Sequence, residues 1–201
     1  MKYGAIYADP PWGFTMFNSV RAVPCRGDQP YPTMTTDDLC AMPVVERAAE
    51  DAVLFCWITW PMLLDGLRVI EAWGFTYKTC GFCWVKGNSL PLFPEDFRDK
   101  MGLGFWTRAN SEVCLLATRG KPKRLNADVR QVVQAPLREH SRKPDEIRQR
   151  IERLVAGPYL EMFARTHAPG WDVWGNETTK FAAVAARASD FRATGENHGT
   201  T

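Results

Sequence analysis

An α/β fold, a mainly parallel sheet with helices on both faces, is what the hydrophobic pattern of this chain predicts. Apolar runs of strand length alternate with helical patterns from end to end, as in sheets built from crossover units. The run Val53-Leu54-Phe55-Cys56-Trp57-Ile58-Thr59 is apolar almost throughout, as a strand covered on both faces must be. After Pro144, residues Ile147, Ile151 and Leu154 fall at helical spacing, forming the stripe a helix lays on a sheet.

The elements follow in order. Tyr3 to Ala8 is a short apolar strand ending at Asp9-Pro10-Pro11-Trp12, and Gly13 to Pro32 has no period and reads as loop. Thr35 or Thr36 can cap a helix whose first turn carries Asp37 and Asp38, well placed at a positive helix end. Pro43 interrupts that helix and can restart a second short one through Glu50. Beyond the strand from Val53, Pro61 opens a helix with Leu63, Leu67 and Ile70 on one face, closed by Gly74. Phe75 to Val85 is one long or broken strand. Lys86 to Asn110, rich in Gly, Pro and charge, exceeds the usual structureless connection, as lids and binding elements do. Glu112 to Thr118 is a strand, followed by a basic run and the short apolar stretch Gln131 to Ala135. The helix after Pro144 ends at Gly157-Pro158. Tyr159 to Ala164 and Trp171 to Gly175 are strands, Thr179 to Asp190 is an Ala-rich helix, and the end is polar. One domain over residues 1–190, with a flexible tail at 191–201, is the expected organisation.

Composition narrows the function. A net charge of only +2 excludes a bulk polycation, so any nucleic-acid surface must be local. Neither a signal sequence nor a membrane-length apolar run is present, and the expected location is cytoplasmic. Cys80-Gly81-Phe82-Cys83 has CxxC spacing, but it lies in a strand pattern, where residues three apart point to opposite faces. It reads as buried thiols, and with His140, His167 and His198 far apart no metal ligand set emerges.

The chemistry is carried by Asp9-Pro10-Pro11-Trp12. Neither proline has an N–H, so the turn is stiff and its carbonyls stay outside any ladder. A carboxylate beside fixed carbonyls and a flat ring suits holding an amino group while the ring stacks on the base that carries it. A second cluster follows the later strands. Arg165 and His167 come just after Tyr159 to Ala164, and Asn176 and Glu177 just after Trp171 to Gly175. Asp9, Arg165 and Asn176 thus lie past the carboxyl ends of strands, where parallel α/β sheets gather ligands. With Pro144 as the first helical residue, Lys143 falls at the cap. A lysine there is ordinarily an exposed surface residue; in a functional reading it receives an anion such as a carboxylate, together with the free helix N–H groups.

The chain resembles the DPPW-type adenine-N6 methyltransferases, the family of the catalytic subunit of the eukaryotic messenger-RNA adenosine methyltransferase and of small bacterial and phage relatives. The matching blocks are Asp9-Pro10-Pro11-Trp12, Tyr31-Pro32-Thr33-Met34, Ser141-Arg142-Lys143-Pro144-Asp145, Leu160-Glu161-Met162-Phe163-Ala164-Arg165 and Trp171 to Glu177, in the family's order. The resemblance implies a Rossmann-type methyltransferase fold of permuted order, the catalytic motif before the cofactor motif, with S-adenosylmethionine as methyl donor. It implies that Asp9, Lys143, Arg165, His167, Asn176 and Glu177 line the cofactor pocket. Lys143 is then expected near the methionine carboxylate, and Asn176 with Glu177 at the ribose or adenine. Longer relatives carry an upstream segment that helps hold the cofactor adenine, and no separate target-recognition domain is recognisable here. Specificity is therefore expected from loops, a homo-oligomer or a partner subunit.

The expected activity is methylation of adenine N6 in DNA, with Asp9, Pro10, Pro11 and Trp12 as catalytic residues and Trp12 stacking on the base. Arg119, Lys121, Lys123 and Arg124 are candidate phosphate contacts, with Arg138 and Arg142 behind them; a solvated basic turn is the plain alternative. The segment Lys86 to Asn110, with Phe93, Phe97, Phe105 and Trp106, is the candidate substrate gate, or equally an aromatic-anchored surface loop. RNA adenine-N6 or DNA cytosine-N4 methylation stays open, as does a catalytically silent nucleic-acid-binding subunit. Methylation of small molecules or proteins is disfavoured by the amino-group motif.

Overall fold

The alternation of the sequence is realised as one sheet. The computed structural model describes residues 1–13, 16–18, 23–25, 33–87, 97–102, 106–138 and 142–174, with backbone alone at 16–18 and 23–25. The strands are β1 (Tyr3–Ala8), β2 (Met16–Asn18), β3 (Val23–Cys25), β4 (Ala48–Ile58), β5 (Thr76–Gly87), β6 (Ser111–Arg119), β7 (Val132–Pro136), β8 (Tyr159–Met162) and β9 (Trp171–Trp174). Seven of them form a sheet of order β7-β5-β6-β4-β1-β8-β9, while β2 and β3 pair antiparallel within the stretch read as loop. In the large sheet β6 alone runs against its neighbours β4 and β5; every other pairing is parallel. The mainly parallel sheet of a Rossmann-like fold is therefore present, with one reversed strand that the sequence pattern does not mark. β1 lies between β4 and β8, so the strand order turns around at β1. Such switch points are where α/β sheets place ligands, beyond the carboxyl ends of the strands.

Alternate residues of each strand go to opposite faces. Ile6, Ala8, Leu54, Cys56, Ile58 and Leu115 join Leu39 of helix α1 (Thr36–Cys40) and Val69 and Ile70 of α2 (Leu63–Ala72) in one core. Ala5, Tyr7, Phe55, Trp57, Phe82 and Trp84 meet Ile147 and Ile151 of α3 (Glu146–Leu154) on the other face. Each fully buried large aliphatic or aromatic side chain contributes about 1.5–3 kcal/mol of transfer free energy. The buried indoles also satisfy their N–H groups. Trp73 donates to Leu39 O at 2.7 Å, Trp84 to Ala135 O at 2.9 Å, and Trp57 to the Tyr7 hydroxyl at 2.8 Å. Gly66 lets α2 lie close on β4, since a Cβ there would sit 2.6 Å from Ile58 Cγ2.

Local signals set most boundaries. Thr35, not Thr36, caps α1: its hydroxyl accepts from the Asp38 N–H at 3.1 Å, and the Asp38 carboxylate accepts from the Thr35 N–H at 3.3 Å. Pro61 lies in a single 3-10 turn, Trp60–Met62, that leads into α2, and Gly74 follows the helix at φ +80°. β5 is one long strand with two register irregularities. Two boundaries differ from expectation. After Pro43 there is only a 3-10 turn, Val44–Glu46, and the chain enters β4 at Ala48 because Tyr3 and Ala48 pair at the start of the parallel ladder. The third helix begins at Glu146 with Asp145 at its cap, which leaves Lys143 in the loop ahead of it. The expected helix at 179–190 and the tail lie outside the described residues. Among the described residues, no helix is long and apolar enough to cross a membrane.

Candidate active site

The parallel register sets Ala8 beside Cys56 of β4 and Met162 of β8, so Asp9 emerges at the switch point between two strand ends. The turn that follows is tightly held. Trp12 N–H donates to Pro10 O and Met34 N–H to Pro11 O, both at 2.9 Å, and the Trp12 indole donates to Trp57 O at 2.8 Å. Trp12 is only 6% exposed and packs in the core. Its indole anchors the proline turn to β4.

The Asp9 carboxylate accepts from Lys143 Nζ at both oxygens, at 2.8 and 2.9 Å. Lys143 also lies 3.3 Å from Glu112, whose other oxygen is 2.6 Å from Lys86 Nζ. Two acids and two bases thus alternate along the strand ends, with Lys143 over the Trp57 ring and Lys86 over that of Trp84. The expectation that Lys143 sits exposed at a helix cap is corrected, because its side chain is 8% exposed and closes on the protein's own carboxylates. Burial alone would lower the Lys143 pKa, but Asp9 and Glu112 outweigh it and hold it above the ordinary lysine value. Burial likewise pushes Glu112 up, and Lys143 and Lys86 more than reverse that, holding it below the ordinary glutamate range.

Beside Asp9 opens a shallow cleft bounded by Lys143, Arg142, Arg148, Glu161, Phe163 and Arg165. Arg148 grips Glu161 with two bonds, at 2.7 and 2.9 Å. Burial nonetheless raises the Glu161 carboxyl above its usual range, the Arg148 contacts only partly offsetting it. Phe163 turns the chain out of β8 at φ +60°, a conformation costly for a bulky residue and met mostly at functional sites. Its N–H donates to Trp174 O at 2.5 Å and its ring stacks on Trp174. The donor set of the cleft can hold an amino-acid moiety: carboxylate acceptors at Asp9 and Glu161, and cationic donors at Arg142 and Arg165, against the Phe163 and Tyr7 walls.

Of the residues singled out from sequence, the fold brings Asp9, Lys143 and Arg165 together. His167 is exposed and is not part of the cleft wall, where Thr166 stands instead. Asn176 and Glu177 lie outside the described residues, as do Tyr31, Pro32, Phe93, Phe105, Ser141 and Gly175. Arg119, Lys121, Lys123 and Arg124 are placed at the opposite end of the sheet. Val113 pairs with Ile58 near Asp9, whereas Arg119 pairs with Ala52, six residues and about 20 Å further along the strand. There the Lys121 N–H donates to Asp51 at 2.7 Å. Arg138 and Arg142 both bind Asp145 and so shape the loop ahead of α3. Cys80 and Cys83 are free thiols, and no group of metal-ligating side chains is placed to hold an ion among the described residues. Sequence reading missed Glu112, Lys86 and the Arg148–Glu161 pair. Only Glu161 carried a signal, a charge inside an apolar strand, which marks a carboxylate that must find a partner.

The MT-A70 family model matches residues 3–177, a span that takes in every strand of the sheet. The chain belongs to the MT-A70 family. It is 32% identical over 193 residues to the Type II methyltransferase M.MunI of a Mycoplasma species, covering 88% of this chain and 78% of that one. To human N(6)-adenosine-methyltransferase catalytic subunit METTL3 it is 32% identical over 182 residues, 88% of this chain but 28% of METTL3. The match to the Arabidopsis thaliana MT-A70-like N(6)-adenosine-methyltransferase is also 32% identical and takes in 24% of that protein. The chain therefore spans about a quarter of these eukaryotic relatives. MT-A70 is a family of N6-adenine methyltransferases that use S-adenosylmethionine, and the Rossmann-like sheet with its charged switch point is the MT-A70 scaffold in this chain.

Proposed function

We propose that this MT-A70 protein transfers the methyl group of S-adenosylmethionine to the exocyclic N6 of adenine in DNA. The observation that carries the reading is the Asp9-Pro10-Pro11-Trp12 turn standing at the switch point, with Asp9 itself forming one wall of the charged cleft. DNA is favoured over RNA because the correspondence runs over most of the Type II methyltransferase M.MunI, against 28% of METTL3.

When bound, S-adenosylmethionine supplies an electrophilic methyl group; what the chain supplies is position and charge. The N6 lone pair is delocalised into the purine and is a poor nucleophile. Asp9 and the Pro10 carbonyl accept the two amino hydrogens, which draws the nitrogen toward tetrahedral geometry and aims its lone pair. Both acceptors have capacity to do so. A carboxylate has about four lone-pair sites, of which Lys143 uses two. Pro10 O takes the Trp12 N–H at 2.9 Å and keeps its second lone pair. Lys143 fixes Asp9 through both carboxylate oxygens, and Arg142 and Arg165 offer charge to the cofactor carboxylate. Asp9 is also the nearest acceptor for the proton that the methylated, cationic amine must shed.

The test is incubation with labelled S-adenosylmethionine and, separately, unmethylated double-stranded DNA, single-stranded DNA and RNA, followed by nucleoside analysis. N6-methyladenine in the DNA pools, lost in Asp9→Ala with the fold intact, is the expected result. Near-normal turnover by Asp9→Ala, or methylation confined to RNA, would sink the corresponding part of the reading.

A further inference from the structure

Among the described residues, the buried side-chain oxygen that lacks a hydrogen-bond partner is Oγ1 of Thr59. Buried hydroxyls are ordinarily paired, and an unpaired one is less favourable than a methyl group of the same shape. Local structure does not use this hydroxyl. Thr59 precedes the 3-10 turn Trp60–Met62, where a threonine commonly caps, yet its side chain makes no capping bond. The turn is closed instead by the Thr59 carbonyl, which accepts from the Met62 N–H at 2.9 Å.

The unpaired hydroxyl stands beside the reacting group. Ala8, the residue before Asp9, pairs with Cys56, and Thr59 leaves β4 at that same end. In the ladder between β4 and β6 Ile58 faces Val113, so Thr59 and Glu112 are the next residues along it. Thr59 is extended, with φ −89° and ψ 149°, which continues the alternation of the strand and sets it on the face of Trp57. Over that indole, 5.5 Å from its centre, lies the Lys143 nitrogen that bridges Asp9 and Glu112. The proline turn leans the same way, since the Trp12 indole ties it to Trp57 O at the end of β4. The charged cleft opens toward β8, on the other side of β1. The two sides of Asp9 thus differ: ionic groups for the cofactor toward β8, and an uncommitted hydroxyl toward β4.

We propose that Thr59 reads the target base, its hydroxyl donating to the ring nitrogen bonded to the carbon that bears the amino group, N1 in adenine. With Asp9 and the Pro10 carbonyl accepting the amino hydrogens, the base is then held by two acceptors and one donor, the complement of its own edge. Thr59 as a whole is only half-buried, and its hydroxyl and methyl share one Cβ. Rotation about χ1 exchanges the two, which pairs the hydroxyl with the base and buries the methyl in its place. This rests on the methyltransferase reading above and adds the residue that selects the base.

The experiment measures equilibrium binding of a labelled oligodeoxynucleotide with one adenine between randomised flanks of the other three bases. A second strand carries 1-deazaadenine there, in which C–H replaces the N1 acceptor. S-adenosylhomocysteine is present, so no methyl group is transferred. The proteins are wild type, Thr59→Val and Thr59→Ser, with unfolding midpoints measured alongside. Wild type should bind the 1-deazaadenine strand about tenfold more weakly, as for one hydrogen bond lost from a buried donor. Thr59→Val should bind the adenine strand about tenfold more weakly than wild type and make no distinction between the strands. Its midpoint should be unchanged or higher, because the group removed has no partner in the fold. Thr59→Ser should restore both affinity and discrimination. Discrimination that survives in Thr59→Val overturns the proposal, as does equal binding of the two strands, or none, by wild type. A lowered midpoint in Thr59→Val would make the hydroxyl a stabilising group of the fold and overturn it too. Discrimination that depends on Thr59, in a protein that forms no N6-methyladenine from S-adenosylmethionine, would instead reject the methyltransferase reading and leave the base contact standing.

Discussion

Replacing Lys143 by methionine removes one ammonium group and keeps the length of the side chain. The Lys143 nitrogen is 2.8 Å from an Asp9 oxygen and 3.3 Å from a Glu112 oxygen, so those two oxygens lie no more than 6.1 Å apart. Without the cation two carboxylates face each other across that gap, and at an effective dielectric of about 20 they repel by about 3 kcal/mol. The Lys143, Asp9 and Glu112 side chains are 8%, 23% and 12% exposed, so solvent and salt relieve little of it. Removing one partner of a buried ion pair costs about 3–5 kcal/mol in general, in agreement. Lys143→Met should therefore lower the unfolding free energy at pH 7 by about 3 kcal/mol in urea titrations. Charge and packing are told apart by pH. In the variant Glu112 keeps its burial and its Lys86 partner but loses the Lys143 charge that helps hold its carboxyl down, so its folded pKa rises relative to the wild-type protein. Relative to wild type, stability is then lost as pH rises through the raised value, so the deficit should be small near pH 4 and grow toward neutrality. Adding Glu112→Gln removes one of the two charges and should restore most of the loss. A deficit under about 0.5 kcal/mol, one independent of pH, or no rescue by Glu112→Gln would refute the charge argument.

In the wild-type protein the sign is opposite. Glu112 and Asp145 are held below their ordinary values, the first because Lys143 and Lys86 outweigh its burial and the second because Arg138 and Arg142 do. Their stabilisation is present above the unfolded values and is lost as pH falls through the lower folded ones, so acid titration should show stability dropping below the ordinary glutamate value of 4.5. Glu112→Gln should flatten that drop; an unchanged acid profile would argue against the pairing. Trp12→Phe keeps an aromatic ring but loses the bond from the indole to Trp57 O. It should cost about 1–3 kcal/mol in thermal or urea unfolding, whereas a ring used only to stack on the base would be replaced at no cost in stability.

What was legible in the sequence was local. A strand that ends in Asp9 and two prolines announces its chemistry by residue type, and the apolar run from Val53 announces a covered strand. The first turn of α1, with Thr35 and two aspartates, announces a cap. Burial of polar groups was not legible, because it depends on partners far along the chain. Lys143 and Asp9 are 134 residues apart, and a lysine before a helix looks the same in sequence whether it faces water or a carboxylate. Trp12 likewise reads as a ring beside a catalytic motif until the Trp57 carbonyl arrives from β4 to claim its N–H.

The direction of β6 decides which of its charges lie beside Asp9. A strand parallel to its neighbours would carry its last residues, Arg119 and the run behind it, to the carboxyl edge beside Asp9, and would leave Glu112 at the far end. Because β6 runs antiparallel to β4 and β5, the assignment is inverted. Glu112 arrives where Lys143 can bridge it to Asp9, and the run from Arg119 to Arg124 leaves the site by the length of the strand. Nothing in the apolar pattern of a buried strand encodes its direction, since both directions bury the same alternating faces. The reversed strand is also what brings Ser111, and with it the indole of Trp60, to the active edge. The conspicuous basic run of the sequence is accordingly a turn at the other end of the sheet, where the Lys121 N–H is held by Asp51.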